Sequence, residues 1–205
     1  MLVYDAEITI KGITSYGANA MIPDNVPDNV KIKPSDETWE NYMVRVLPHT
    51  VHINEKSGNL FIPSNALSLC IKRQAQFDGM KVPHRGSMTF GSVFGSGIGV
   101  RTPIEMPFTV EDLVKRLKGQ SVPADGRRGG TKRVTRYFWW LEPDEWGGTF
   151  KVTIFNALIT PKIFKETVEN AGRITGLGMY RPENKGEHGV FDVTQIKFSS
   201  NAPKD

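Results

Sequence analysis

The sequence of 205 residues predicts an α+β fold on a β-α-β-β-α-β core, a ferredoxin-like arrangement with an antiparallel sheet, two packed helices and large insertions. Three observations lead there. Apolar residues alternate at both ends of the chain, two helices carry clear start signals, and two strong strand segments stand between those helices. A chain of this length buries a core without a metal or disulfide, so it reads as a single domain over 1–205, with insertions at about 15–57 and 79–133.

The first strand spans residues 2–11, where Ile8 and Ile10 oppose Glu7, Thr9 and Lys11. Residues 15–40 are rich in Pro, Gly and Asn without periodicity and read as a surface excursion. The segment 43–53 reads as extended and broken by Pro48. At Pro63 a short extended run stops, and Ser64 or Asn65 caps a helix with Ala66, Leu67, Cys70, Ile71 and Phe77 at helical spacing and Gly79 as its end. The lone Cys70 is thereby a small core residue, which excludes disulfide and thiolate-metal frameworks.

Five glycines between Gly86 and Gly99 mark a looser stretch, with Phe90 and Phe94 as a secondary stacking candidate. Thr109 and Asp112 form a capping box for a short helix. The segments 134–141 and 149–158 then read as strands, and the acidic, Gly-ending connector makes them an antiparallel hairpin. Thr160 caps the second core helix, with Pro161 at its first position and Gly172 at its close. A glycine-rich loop, 176–189, leads into the last alternating strand, 190–198. Such a sheet, shared by RNA-recognition domains, has one face under the helices and the other open.

The net charge of +4 is unevenly placed. Eight Lys and Arg against Asp125 make residues 115–136 a stretch of +7, leaving the other 183 residues at −3. Its middle, SVPADGRRGGTKR, reads as a loop on which arginines reach phosphates at several angles, or as a solvated surface loop. Arg127, Arg128, Lys132, Arg133 and Arg136 are the candidate phosphate contacts. Four aromatics follow, and by period two Tyr137 and Trp139 share the face of Arg133 and are candidate base-stacking residues.

No catalytic constellation is apparent. His49 and His52 fall on opposite faces of an extended segment, and no nucleotide-binding, zinc-protease or serine-hydrolase motif occurs. The carboxylates Glu142, Asp144 and Glu145 form an acidic turn. A non-enzyme without cofactor or metal is the expectation. No apolar run reaches the roughly 20 residues needed to cross a bilayer, and Asp5 and Glu7 stand where a signal peptide would be uncharged. The expected location is cytoplasmic, with no membrane partner.

The passage L-F-I-P-S-N-A-L-S-L-C-I-K-R, ending at Arg73, resembles the strand-to-helix motif of the CRISPR-associated RAMP superfamily. The loop from Gly176 to Phe191, with Gly178, Arg181, Gly186 and Gly189, resembles that superfamily's C-terminal glycine-rich loop. Most of the chain is also similar to a phage and prophage protein family, departing from its pattern at residues 13–19. The RAMP resemblance implies a single RAMP-like domain whose glycine-rich loop holds single-stranded RNA. Some members of that superfamily are repeating backbone subunits, and others are metal-independent endonucleases that use a histidine. In this sequence Gly176, Gly178, Gly186 and Gly189 would present N–H groups to phosphates, and Arg173, Arg181 and Lys185 would supply charge. His188 is the one histidine in that loop.

The expected function is binding of single-stranded DNA or RNA by a phage-encoded protein, with homo-oligomers assembling along the strand. A phage structural protein or host-interaction protein, such as a mimic of a CRISPR subunit, is the alternative. A metal-independent RNA endonuclease is the third reading.

Overall fold

Residues 3–18, 22–123 and 132–203 are described by a computed structural model of mixed α/β character with antiparallel sheets. In chain order the elements are β1 (Tyr4–Gly12), α1 (Asp28–Lys31), α2 (Trp39–Thr50), β2 (Leu60–Ile62), α3 (Ser64–Asp78), α4 (Phe90–Gly97) and β3 (Ile98–Val100). There follow β4 (Ile104–Met106), α5 (Val110–Val114), β5 (Leu117–Pro123), β6 (Arg133–Trp139), β7 (Gly147–Ile154), α6 (Pro161–Asn170) and β8 (Phe191–Phe198). They divide into two compact units. The first comprises Met1–Tyr16, Phe61–Met106 and Glu142–Asp205, and the second Gly17–Leu60 and Pro107–Leu141. The expected insertion at 79–133 is thus shared out, its part up to Met106 belonging to the first unit.

The first unit is built on a four-stranded sheet ordered β3-β7-β1-β8, every pairing antiparallel. Alternation in β1 decides its inward face. Tyr4, Ala6, Ile8 and Ile10 are buried, as are Phe150, Val152 and Ile154 of β7, with Ile8 opposite Phe150 and Ile196. Leu67, Cys70 and Ile71 of α3, Val93 and Phe94 of α4, and Phe164 and Val168 of α6 complete this core. Rings of Phe94 and Phe164 stack at 6.4 Å. The Tyr4 hydroxyl donates to the Ile159 carbonyl at 2.6 Å, so the buried phenol keeps a partner.

Several expectations are corrected here. The segments 134–141 and 149–158 do not form a hairpin. β6 pairs with β5, whereas β7 pairs with β1 and β3, because both edges of β7 are taken by strands far away in sequence. The place in the sheet expected for 134–141 is held by β3. The stretch 86–99 is not loose, since Phe90, Val93, Phe94 and Gly97 recur at helical spacing and turn inward as α4. Phe77 is 61% exposed at the end of α3 and is no part of its buried stripe. Pro63, with no side-chain cap, precedes α3, and Gly79 ends it at φ 59°. Gly172 does not close α6, which continues through a π turn, Ala171–Thr175, to Gly176 at φ 70°. The capping box at Thr109 and the cap at Thr160 form as expected.

In the second unit the segment 43–53, read as extended, is helical up to Thr50 as part of α2, and extended only from Val51. The Thr38 hydroxyl accepts from the Asn41 N–H, and Val46, Leu47 and Thr50 turn inward on one side, with Pro48 tolerated in the last turn. His49 is therefore helical, not part of a strand. β5 and β6 form an antiparallel pair from Leu117 opposite Trp139 to Pro123 opposite Arg133. Among the described residues no helix is long and apolar enough to cross a membrane.

Candidate nucleic-acid interface

The β5 and β6 pair carries two of the basic candidates, Arg133 and Arg136. Period two assigns Arg133, Thr135, Tyr137 and Trp139 to one face, opposite Pro123, Ser121, Gly119 and Leu117. Val134, Arg136 and Phe138 occupy the other. That second face meets α2: the Arg136 guanidinium lies 3.6 Å from the centroid of the Trp39 ring, a close cation–π stack. Arg136 is thus engaged within the unit.

On the first face, Arg133, Thr135, Ser121 and Gly119 are exposed and Tyr137 is half-buried. Arg133 is held across the ladder, its Nε donating to Ser121 Oγ at 2.9 Å and its Nη2 to the Ser121 carbonyl. Gly119 has no side chain to shield the Tyr137 ring, which would lie 3.5 Å from a Cβ placed there. Trp139 differs from its expected role. It is fully buried and offers no face to a base. Facing alternates along a strand as expected, but β6 runs from an exposed end into the core, and periodicity carries no measure of depth. Lys132 is exposed just ahead of the strand, and Arg127 and Arg128 lie outside the described residues.

The glycine-rich loop belongs to the first unit, and its amides are already used. The Gly176 N–H donates to Ala171, that of Gly186 to Arg181 and that of Gly189 to Ser15, at 2.8, 3.1 and 2.9 Å. These three cannot also present free N–H groups to phosphates, which corrects the expected mode of binding. Glycine is demanded there for close backbone approach: a Cβ at Gly186 would run into the Tyr180 backbone, and one at Gly189 into the Leu177 carbonyl. Gly178, at φ 76°, accepts from Arg181 Nη1 through its carbonyl at 3.0 Å.

Charge in the loop is likewise tied up. Glu183 accepts from Arg181 at 2.7 Å and from Arg73 of α3 at 2.8 Å, so one carboxylate joins the loop to the helix. Arg173 lies 3.6 Å from Asp192, and Lys185 is exposed at φ 59° beyond the Pro182–Asn184 turn. Between α3 and the loop is a pocket of about 160 Å³ lined by Leu69, Arg73, Gly176, Arg181 and Glu183. Cys70 borders it, donating to the Gly176 carbonyl at 3.3 Å, and burial pushes its thiol pKa up to about 12. The secondary stacking pair, Phe90 and Phe94, is buried in α4 and is core. His188 is half-buried with its backbone N–H on the Tyr180 carbonyl.

Of the residues expected at the site, Arg133 and Tyr137 share an exposed face, and Arg181 and Gly178 are brought together in the loop. Sequence reasoning missed the Trp39 stack and the Glu183 clamp. Arg73 ends the strand-to-helix motif, but nothing local to it points to Glu183, 110 positions later. No group of three or more His, Cys, Asp and Glu side chains that could hold a metal ion occurs among the described residues.

No protein-family model matches the chain, and no curated protein matches it. Among solved structures, 98% of the chain is similar to a chain in the cryo-EM structure of the type III-B Cmr-beta bound to cognate target RNA, at a TM-score of 0.54 and 10% identity. Its match spans 62% of the length of that chain. The crystal structure of Cmr6 from Pyrococcus furiosus aligns with 94% of this chain and 98% of its own, at a TM-score of 0.42 and 11% identity. At such identity the likeness concerns fold alone: in fold, this chain is similar to a subunit of a Cmr assembly.

Proposed function

We propose that this chain binds single-stranded nucleic acid through the exposed face of the β5 and β6 pair, without cleaving it, and that copies assemble side by side along a strand. The observation that carries the reading is the row Arg133, Thr135, Tyr137, with Gly119 leaving the tyrosine ring accessible across the ladder. A cation and a flat ring on one face, four strand positions apart, meet the two needs of single-strand binding, phosphate neutralisation and base stacking. Fold likeness to a subunit of an assembly bound to target RNA adds support. The order β3-β7-β1-β8 supports a ferredoxin-like, RAMP-like core in which α3 and α6 are the two helices.

Fluorescence anisotropy with short labelled RNA and DNA strands tests this. Arg133→Ala is expected to weaken binding and to lower the slope of log K against log salt by about 1. Tyr137→Leu is expected to cost about 1–3 kcal/mol with the slope unchanged. Binding indifferent to both substitutions would contradict the reading. RNA incubated with the protein in EDTA is expected to stay intact, and cleavage lost in His188→Ala would favour an endonuclease instead.

A further inference from the structure

The sheet of the first unit has an outer face opposite its helices. One line of residues crosses it, a residue from each strand or its immediate end: Arg101 after β3, Lys151 on β7, Glu7 on β1 and Lys197 on β8. The register pairs Glu7 with both lysines, and the Arg101 N–H donates to the Lys151 carbonyl at 2.7 Å. With strands about 4.8 Å apart, the three cations span about 14 Å. Arg101, Lys151 and Lys197 are exposed and, with Asp5, Glu7 and Thr153, border a depression of about 480 Å³. Lys151 lies 3.7 Å from Glu7, so with Asp5 in the next row the face is only mildly positive. Charge alone does not distinguish it.

An aromatic ring does. Phe155 follows β7, its N–H donating to the Gly97 carbonyl at 2.8 Å, so pairing continues and its partly buried ring falls on the outer face with Lys151 and Thr153. Gly99, opposite Thr153, has no side chain, and a Cβ there would sit 3.2 Å from the Phe155 ring. The missing side chain lets the ring lie over the strand. The Arg101 guanidinium is 5.2 Å from the ring centroid, and its Nε is fixed by Thr153 Oγ1 at 2.9 Å. An accessible ring beside a row of cations suits an unpaired base with its phosphates. A duplex, whose bases are already stacked and paired, has no base face to offer it.

We infer that this sheet face is a second contact surface for single-stranded nucleic acid, with Phe155 stacking a base and Arg101, Lys151 and Lys197 meeting phosphates. The ligand class rests on the proposed function, but the residues are different ones. Short RNA and DNA strands carrying a photoreactive uracil, cross-linked to the full chain and mapped by residue, separate the two. Adducts at both Phe155 and Tyr137 are expected. Adducts at Phe155 alone would uphold this inference and sink the role of the β5 and β6 pair. Adducts at Tyr137 alone, or none, would overturn the inference. Phe155→Leu, with the melting temperature as folding control, is expected to weaken binding about tenfold; unchanged affinity in that variant would overturn the inference as well.

Discussion

Cys70 shows how burial decides reactivity at a single residue. The sulfur faces the Gly176 and Ala171 carbonyls in the core, and a thiol with its pKa raised to about 12 supplies almost no thiolate at neutral pH. Iodoacetamide is therefore expected to leave the native protein unlabelled at pH 8 and to label it fully in denaturant; rapid labelling of the native state would contradict this packing. Gly189 tests backbone demand in the same loop. It combines a φ of 71° with contact against the Leu177 backbone, so Gly189→Ala is expected to cost about 2 kcal/mol or more in thermal or urea unfolding. Glu183→Gln, which weakens the join between Arg73 and Arg181, is expected to cost about 1–3 kcal/mol by the same measurement.

At the scale of elements, α5 carries a pH-dependent cap. The Thr109 backbone N–H and hydroxyl donate to Asp112 and hold its carboxyl below the ordinary value of 3.8. A lowered carboxyl contributes stability above its unfolded value, and that contribution disappears as pH falls through the folded one. The stability difference between the wild type and Asp112→Asn is therefore expected at neutral pH, should begin to shrink below about pH 4, and should close only below the lowered folded value in melting experiments. Such local devices were readable in the sequence: the caps at Thr109 and Thr160, the alternation of β1, the presence of the last strand, and the apolar stripe of α3. Helix α2 was not, because Val44, Val46 and Val51 favour extended backbone and Pro48 looks like a break, although Val46, Leu47 and Thr50 share one side. In α4 glycine hid the helical spacing. Gly91 is needed there for contact, since a Cβ would stand 3.0 Å from Gln76 of α3, and no single sequence announces that approach. Strand partners were equally hidden. Ile8 meets Phe150 across 142 positions, whereas the nearest turn-like connector invited a local hairpin.

At the scale of the molecule, the described parts of the basic stretch include a paired ladder with one exposed face, and the two proposed binding surfaces lie one in each unit. The distribution of charge and the facing of Arg133 and Tyr137 were legible, because both follow from composition and period two. Burial of Trp139 and occupation of the glycine-loop amides were not, because depth and hydrogen-bond partners depend on the assembled core. Sedimentation velocity is expected to show larger species on longer strands; oligomers that form without nucleic acid and ignore its addition would favour a structural or host-interaction protein. The most direct test of the central claim is an anisotropy titration of the wild-type chain with single-stranded RNA, single-stranded DNA and duplex at low and moderate salt. Tighter binding to a single strand than to duplex, weakening steeply as salt rises, is the expected result. No binding to either single strand, or affinity that does not change with salt, would contradict it.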